Sequence, residues 1–213
     1  MPAEAERLRS LLEGVRVVGL VGGVASGKSL VARQFAELGA LELDADRAGH
    51  EVLLQKEVEE AARARWGETI FDPAGHIDRR RLGQIVFAPG EAGSRELAFL
   101  QQLTHPRIVK VLEKRATAAH SRGYRVAVVD APVLLEAGWG RLCDPIVYVE
   151  AAQELRRARA RQRGWSDADF DAREAAQKTL TEKRLKAEEV IDNSGSLDAT
   201  RAQVQDLWRR WVG

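Results

Sequence analysis

Length, composition and charge limit the kinds of protein that this sequence can encode. The chain has 213 residues, which is enough for one α/β domain with insertions and a core that needs no disulfides. Its 33 basic and 32 acidic residues nearly balance, so no strong overall charge is present to hold a nucleic acid or an anionic membrane. We therefore expect a small molecule or another protein as the partner, and the sequence leaves the oligomeric state open.

The start of the chain and its cysteine content favour a location in the cytoplasm. Residues 1–14 alternate charges where a signal peptide would place its apolar stretch, and we interpret them as a poorly ordered N-terminal extension rather than a short helix. No apolar run approaches the roughly 20 residues that span a bilayer. The single cysteine, Cys143, cannot form an internal disulfide and is expected to be a buried, small apolar residue.

The first elements of the fold are predicted to be a strand, a glycine-rich loop and a helix. Residues 15–21 are mostly apolar and β-branched, which is typical of a strand covered on both faces of a parallel sheet. The helical spacing of apolar residues begins at Ser29, and Gly39 closes the segment where a C-terminal cap belongs.

The rest of the chain alternates strands with helices. Further strands are predicted over residues 41–43, 125–129, 146–149 and 190–191. Helical stretches are predicted over residues 51–66, 94–121 and 151–189, with an interruption of the second at Pro106. The alternation favours a doubly wound parallel sheet flanked by helices, an α/β fold, whose ligands bind at the carboxyl ends of the strands.

The loop after the first strand carries the strongest motif. Residues 22–29, GGVASGKS, match the P-loop pattern G-x-x-x-x-G-K-[ST] without a gap. The glycines allow a tight turn that points backbone N–H groups at a phosphate, and the following helix adds the positive end of its dipole. Lys28 supplies a mobile charge for the β- and γ-phosphates of ATP, and the Ser29 hydroxyl is placed to bind Mg²⁺. The residues alone thus predict a P-loop phosphotransferase or nucleoside triphosphatase.

Three aspartates at predicted strand ends are candidates for the chemistry. Asp130 ends the strand VAVVD, the usual position of a second Mg²⁺-binding acid, although an ordinary cap is the alternative. Asp44 and Asp46 share one side of the chain if this segment stays extended, and such a pair could orient a hydroxyl and accept its proton. The alternative is a helix cap and a surface acid before a helix at Ala48.

A run of arginines is a candidate phosphate clamp. On a helix, Arg156, Arg159 and Arg163 share one face, whereas Arg157 and Arg161 lie elsewhere. That face could close over transferring phosphates as a lid, because planar guanidinium groups match phosphate oxygens. For any single arginine the alternative is a solvated surface position.

The order of several segments resembles a known family. The segments GLVGGVASGKS, LDADRAGHEVL, HIDRRRLGQIVF, LTHPRI, VVDAPVLLEAGW and VIDNSGSLDATRAQV occur in the order found in dephospho-coenzyme A kinases. The resemblance covers the chain from about Val17 to the end. That family transfers the γ-phosphoryl group of ATP to the ribose 3′-hydroxyl of dephospho-coenzyme A, in the last step of coenzyme A synthesis. The acceptor is therefore implied by the resemblance and not by the residues alone.

The resemblance also implies an organisation and a set of site residues. It implies a P-loop kinase domain over residues 15–213, made of a core (15–50, 123–150 and 188–213), a helical substrate-side region (51–122) and a helical lid (151–187). The resemblance implies Asp46, with Asp44 beside it, and Arg163 as catalytic residues in addition to Lys28 of the P-loop motif. The metal ligands expected from the motif and from the end of the strand VAVVD are Ser29 and Asp130. The implied ATP-binding residues are Gly23, Ala25, Ser26, Gly27, Lys28, Ser29, Leu30, Arg163 and Asn193. Arg173 is a further candidate phosphate contact in the lid.

Three positions depart from the pattern of the family, and two other classes of protein stay open. Leu30 stands where Thr is common, Ala25 replaces a frequent Gly, and Thr179 occupies a place often held by Pro. One alternative is a different metabolite kinase, such as a nucleoside or nucleotide kinase. The other is a nucleotide-dependent switch, although the sequence has no N-K-x-D segment for reading guanine.

Overall fold

The computed structural model describes residues 2–131 and 133–213, except for the side chains of residues 2–5 and 120. Met1, part of the predicted extension, and Pro132, part of the segment VVDAPVLLEAGW, lie outside the described residues. Within the described residues, five strands form one parallel sheet in the order β2-β3-β1-β4-β5. The strands are β1 (Arg16–Gly22), β2 (Leu41–Asp44), β3 (Val126–Asp130), β4 (Ile146–Glu150) and β5 (Glu189–Asp192). The predicted α/β fold with a P-loop and a doubly wound parallel sheet is confirmed.

The helices that the structure describes follow the strands along the chain. They are α1 (Pro2–Leu11), α2 (Lys28–Glu37), α3 (Ala45–Leu53), α4 (Lys56–Trp66), α5 (Arg79–Val86), α6 (Glu91–Ser121), α7 (Gln153–Gln162), α8 (Asp167–Ala175), α9 (Leu180–Leu185) and α10 (Leu197–Val212). Short 3₁₀ turns lie at Glu68–Ile70 and Trp139–Leu142.

The chain forms two compact units. The first unit comprises residues 1–45 and 112–213 and contains the sheet. Its core is built from apolar side chains of β1, β3 and β4 together with α2 and α10, and Trp211 stacks on Phe35 with ring centroids 5.3 Å apart. Every residue of β3 is buried, which explains why its sequence is apolar without alternation.

The second unit comprises residues 46–111 and is helical. Apolar side chains of α3, α4, α5 and the first part of α6, such as Val52, Val58 and Leu82, form its core together with Ile70 of the 3₁₀ turn. The sequence predicted a helical substrate-side region over residues 51–122, and that role remains a prediction.

The N-terminal segment is helical, and the expectation of a poorly ordered extension is wrong. Leu8 and Leu12 are 1% and 2% exposed. Arg7 also forms an ion pair with Glu113, with 2.7 Å between Nε and Oε1. Burial of two leucines stabilises a segment whose composition alone suggested disorder.

The predicted interruption at Pro106 is also wrong, because α6 continues through this residue. Proline removes the helical N–H that would bond to the carbonyl oxygen of Gln102. Two neighbouring side chains donate additional hydrogen bonds to other carbonyl oxygens of the preceding turn. Thr104 Oγ1 lies 2.8 Å from the Leu100 oxygen, and Arg107 Nη1 lies 2.7 Å from the Leu103 oxygen.

The predicted helical stretch over 151–189 is three short helices instead of one. Gly164, at φ +78°, follows the end of α7. Capping boxes then start α8 at Ser166 and α9 at Thr179. In each box the hydroxyl of the N-cap residue accepts a backbone N–H, and the acidic side chain three residues later accepts the backbone N–H of the N-cap residue. Thr179, which stands where the family often has Pro, is therefore the N-cap of α9.

Candidate active site

The P-loop connects β1 to α2 at the carboxyl edge of the sheet, as predicted from the sequence. Gly27 is the N-cap of α2 and has φ +101°, a conformation that favours glycine. A side chain at this position would also collide with Nδ2 of Asn193. The first N–H groups of α2 have no helical acceptors, so this helix start is suited to bind an anion.

The surroundings of Ala25 explain how alanine can replace the glycine that is frequent at this position in the family. It has φ +58° and is the only non-glycine residue with a positive φ among the described residues. Its methyl group is 8% exposed and packs with Val24, Ala160 and Phe170. Packing of the methyl group offsets part of the backbone strain that alanine has in this conformation.

The Lys28 side chain folds back onto the backbone of the P-loop. Its Nζ donates hydrogen bonds to the carbonyl oxygens of Gly22 at 3.4 Å and Gly23 at 3.1 Å. Ser26 is fully buried, and within the described part of the chain its hydroxyl has no hydrogen-bond partner. A buried hydroxyl without a partner inside a phosphate-binding motif fits a site that receives further polar atoms.

Two aspartates lie side by side at the ends of β2 and β3, and β3 neighbours the strand that leads into the P-loop. Asp130 ends β3 and is 2% exposed. The register places it opposite Leu20 of β1 and opposite Asp44 of β2. Together with the Ser29 hydroxyl at the start of α2, Asp130 offers hard oxygen donors of the kind that Mg²⁺ prefers. In the part of the chain that is described, no group of three or more His, Cys, Asp or Glu residues could hold a metal ion.

The predicted pair Asp44 and Asp46 does not lie on an extended segment. Strand β2 ends at Asp44 and helix α3 begins at Ala45, so strand alternation does not align the two carboxylates. Asp44 is half-buried and belongs to the first unit, whereas Asp46 is exposed in the first turn of α3 and belongs to the second. Asp46 also stabilises the positive end of the α3 dipole.

Of the three arginines predicted to share one face of α7, Arg156 and Arg159 do so and contact the P-loop backbone, whereas Arg163 lies after the end of the helix. Arg156 is 3% exposed, and its Nη1 lies 3.4 Å from the carbonyl oxygen of Val24. The same nitrogen lies 2.5 Å from Oε1 of Glu174. Arg159 Nη1 donates to the Ser26 oxygen at 3.1 Å. For Arg156, the alternative of a solvated position is wrong.

The remaining arginines of the run lie on the other side of α7. Arg157 pairs with Asp171 and Arg161 pairs with Asp167, at 2.6 Å and 2.8 Å between the closest nitrogen and oxygen atoms. These pairs join α7 to α8 at the surface of the predicted lid, away from the loop.

Arg163 and Arg173 both lie over the indole ring of Trp165, which was not among the predicted site residues. The guanidinium carbon of Arg163 lies 6.0 Å from the ring centroid of Trp165, and that of Arg173 lies 4.3 Å from it. Arg163 is exposed after the end of α7. Burial, and then the charge of Arg163, lower the pKa of Arg159, which itself contacts the P-loop.

Asn193 holds the P-loop from the end of β5. It is 1% exposed, and its Nδ2 donates to the carbonyl oxygen of Ser26 at 2.7 Å. Its Oδ1 accepts from the Thr200 hydroxyl at 3.0 Å. The amide group of this predicted ATP-binding residue therefore bonds to the loop and to α10.

The comparisons with known proteins agree with this geometry. The family model of dephospho-CoA kinase matches residues 16–199. This chain belongs to the dephospho-CoA kinase family. The dephospho-CoA kinase of Carboxydothermus hydrogenoformans is 40% identical over 204 residues, covering 92% of this chain and 94% of that protein. That of Symbiobacterium thermophilum is 39% identical over 202 residues, covering 93% of this chain and 82% of that protein.

A solved structure matches the whole fold. The crystal structure of a Thermus thermophilus protein, 28% identical in sequence, superimposes with a TM-score of 0.74 over 93% of this chain and 99% of that one. The resemblance noted in the sequence is thus confirmed at the level of family and fold. In the described part of this family member, no helix is long and apolar enough to cross a membrane.

Sequence reasoning missed two charged residues that contact the P-loop of this dephospho-CoA kinase family member. Lys183 is 2% exposed, and its Nζ donates to the carbonyl oxygen of Gly22 at 3.2 Å. Burial and the charge of Lys28 lower the pKa of Lys183 to about 8. Glu174 Oε1 accepts the backbone N–H of Val24 at 3.3 Å. Both residues lie in charged segments whose sequences are typical of solvent-exposed helices, so the sequence does not indicate that their side chains contact the P-loop.

Proposed function

We propose that this chain transfers the γ-phosphoryl group of ATP to the ribose 3′-hydroxyl of dephospho-coenzyme A, the last step of coenzyme A biosynthesis. The observation that carries the proposal is the match of the dephospho-CoA kinase family over residues 16–199, with an intact P-loop between β1 and α2 inside it. The reaction forms a bond between the hydroxyl oxygen and the γ-phosphorus. It breaks the bond between that phosphorus and the β,γ-bridging oxygen, whose electron pair leaves with ADP.

The P-loop binds and orients the phosphates. The N–H groups at the start of α2 point towards them, and the helix dipole favours their negative charge. Lys28 moves from the carbonyl oxygens of Gly22 and Gly23 to the β- and γ-phosphates. In a loose transition state the charge spreads over the transferring oxygens, so a mobile cation there lowers the barrier.

Ser29 and Asp130 are the residues that would hold Mg²⁺. When bound, Mg²⁺ neutralises charge on the β- and γ-phosphate oxygens. Ser29 would contribute a hydroxyl oxygen from α2, and Asp130 a carboxylate oxygen from the end of β3, directly or through water. Both are oxygen donors, and Mg²⁺ usually takes few protein ligands beside phosphate oxygens.

A carboxylate takes the proton of the acceptor hydroxyl. Asp46 is the proposed base, with Asp44 in a supporting role. In a loose transition state the hydroxyl is little deprotonated, so the carboxylate mainly orients it and receives the proton late. Arg163 is proposed to contact the phosphates from the lid.

An acceptor assay tests the proposal. Purified protein with Mg·ATP, with and without dephospho-coenzyme A, is followed by ADP release and by the mass of the product. We expect ADP release to depend on dephospho-coenzyme A and the product to gain one phosphoryl group. Good turnover with a nucleoside or nucleotide instead, or slow hydrolysis independent of any acceptor, would identify one of the two alternative classes.

A matched pair of variants tests the role of the P-loop in the same assay. Lys28→Ala is expected to abolish turnover, because no other charge of the motif reaches the phosphates. Arg33→Ala removes an exposed cation from the same helix and is expected to leave turnover unchanged. Action in the cytoplasm, and the absence of nucleic-acid partners, remain predictions from the sequence.

A further inference from the structure

A buried lysine lies against the first residue of the P-loop. Lys183 comes from α9, and its ammonium group bonds to the Gly22 oxygen at 3.2 Å and to Oε1 of Gln177 at 2.6 Å. The capping box of Thr179 fixes the start of this short helix. The helix is packed tightly on the loop, since Leu180 Cδ2 lies 3.1 Å from the point where a Gly23 side chain would begin. Lys183 is therefore held in one position.

The Gly22 oxygen is shared between two ammonium groups. Lys28 Nζ contacts it at 3.4 Å and Lys183 Nζ at 3.2 Å. A carbonyl oxygen has two lone pairs, so it can accept both hydrogen bonds. The two positive charges nevertheless repel each other in a region where Lys183 is shielded from water. When Lys28 leaves, the Gly22 oxygen keeps the bond from Lys183, and the Gly23 oxygen keeps the backbone N–H of Ser26 at 3.2 Å, so neither acceptor is left without a partner.

We propose that Lys183 is a positioning residue: it keeps the Gly22 carbonyl oxygen hydrogen-bonded, and its positive charge displaces the Lys28 ammonium towards the phosphates of bound ATP. It touches no reacting atom and acts only through Lys28 and the loop. The inference rests on the proposed function for the identity of the nucleotide.

The charge of Lys183 gives the inference a measurable signature. Burial and then Lys28 lower its pKa to about 8; the carboxylates of Glu136 and Glu174 raise it, and Arg156 lowers it further. Phosphates beside Lys28 favour the charged form of Lys183, so ATP binding raises its pKa. Above about pH 8, the free protein has lost part of this proton, and ATP binding must restore it.

Proton uptake on ATP binding is the decisive measurement. Calorimetric titration with Mg·ATP at about pH 8.5, in two buffers of different ionisation enthalpy, gives the number of protons bound per ATP. We expect the wild type to take up about 0.3 to 0.8 proton. Lys183→Met, and Lys183→Arg, whose side chain does not titrate, are expected to take up none. Lys186→Met, which changes an exposed lysine just after α9, should match the wild type.

The kinetic readout separates positioning from a structural role. With dephospho-coenzyme A as acceptor, Lys183→Met is expected to lower kcat by about 10- to 100-fold, the cost of a misplaced group, with little change in the acceptor KM. Lys183→Arg keeps the charge, so its kcat should stay near that of the wild type. The kcat/KM for ATP, which reports the free protein, should depend on pH between about 7 and 9 in the wild type and lose this dependence in Lys183→Arg. If Lys183→Met does not fold, the arginine variant still provides both readouts.

Two results would overturn the inference. One is wild-type proton uptake in a folded Lys183→Arg or Lys183→Met protein. The other is an equal loss of kcat in both variants, which would mean that shape and not charge matters. Because proton uptake is measured with ATP alone, it is independent of the acceptor. A wild type that takes up protons but makes no coenzyme A would refute the proposed function and leave the role of Lys183 intact.

Discussion

Removing one partner of the ion pair between Arg156 and Glu174 should destabilise the fold far more than breaking the surface pairs nearby. Arg156 is 3% exposed and Glu174 is 28% exposed, with 2.5 Å between nitrogen and oxygen. In Glu174→Ala the buried guanidinium keeps only neutral acceptors, the carbonyl oxygens of Val24 and Ala151. Breaking a fully buried pair costs about 3 to 5 kcal/mol. Because water partly reaches Glu174, we expect the free energy of unfolding to fall by about 2 to 3 kcal/mol.

Urea denaturation of four proteins measures this effect. The set is the wild type, Glu174→Ala, Arg156→Met and the double variant Arg156→Met/Glu174→Met. The double variant buries no charge, so it should be more stable than Glu174→Ala although it lacks the pair entirely. The matched control is Asp171→Ala, which breaks the exposed pair with Arg157 and should cost less than about 1 kcal/mol.

Two results would show that burial of Arg156 does not set the size of the effect. A Glu174→Ala protein that is no less stable than Asp171→Ala would show that the guanidinium of Arg156 finds solvent or another partner. Loss of stability in the double variant equal to that in Glu174→Ala would show that the pair contributes by shape and packing rather than by compensation of a buried charge.

Three further substitutions test other parts of the site. Gly27→Ala should lower the free energy of unfolding by about 2 kcal/mol or more and prevent ATP binding, because this position combines φ +101° with a steric clash. The control Gly75→Ala, at φ +85° in open space, should lower it by only about 1 kcal/mol, as measured in thermal melts. Asp46→Asn should keep ATP affinity but lower kcat by about 10²- to 10⁴-fold, with a smaller loss for Asp44→Asn; full turnover in both would leave this segment a capping element. Arg163→Ala should slow turnover while ATP affinity without acceptor is unchanged, and unchanged kinetics would make it a surface residue.

The sheet and the P-loop could be predicted because their signals are local. A parallel strand covered on both faces is apolar along its whole length, and β1 and β3 were placed to within one residue at each end. The P-loop motif fixes a turn, a charge and a hydroxyl at adjacent positions. The continuity of α6 could not be predicted in this way, because the helix passes through Pro106 although proline usually interrupts a helix.

The contacts of the charged side chains could be predicted only in part. Helical spacing correctly placed Arg156 and Arg159 on one face of α7, but spacing does not say what covers a face. Lys183 lies in the segment TEKRLK, where every neighbouring charge is exposed, and only packing of α9 on the loop makes it different. Burial of a charge is a tertiary property, so it is absent from a single sequence without an alignment.

The charges around the P-loop have a common effect on its backbone. Carbonyl oxygens of the loop accept hydrogen bonds from cationic or amide donors, namely Gly22 from Lys28 and Lys183, Gly23 from Lys28, Val24 from Arg156, and Ser26 from Arg159 and Asn193. Each bond turns the negative end of a peptide dipole towards a cation or an amide. A peptide plane that directs its oxygen to one side directs a neighbouring N–H to the other. We therefore propose that Arg156 and Arg159 act on bound phosphate indirectly, by holding the carbonyl oxygens of Val24 and Ser26 away from it.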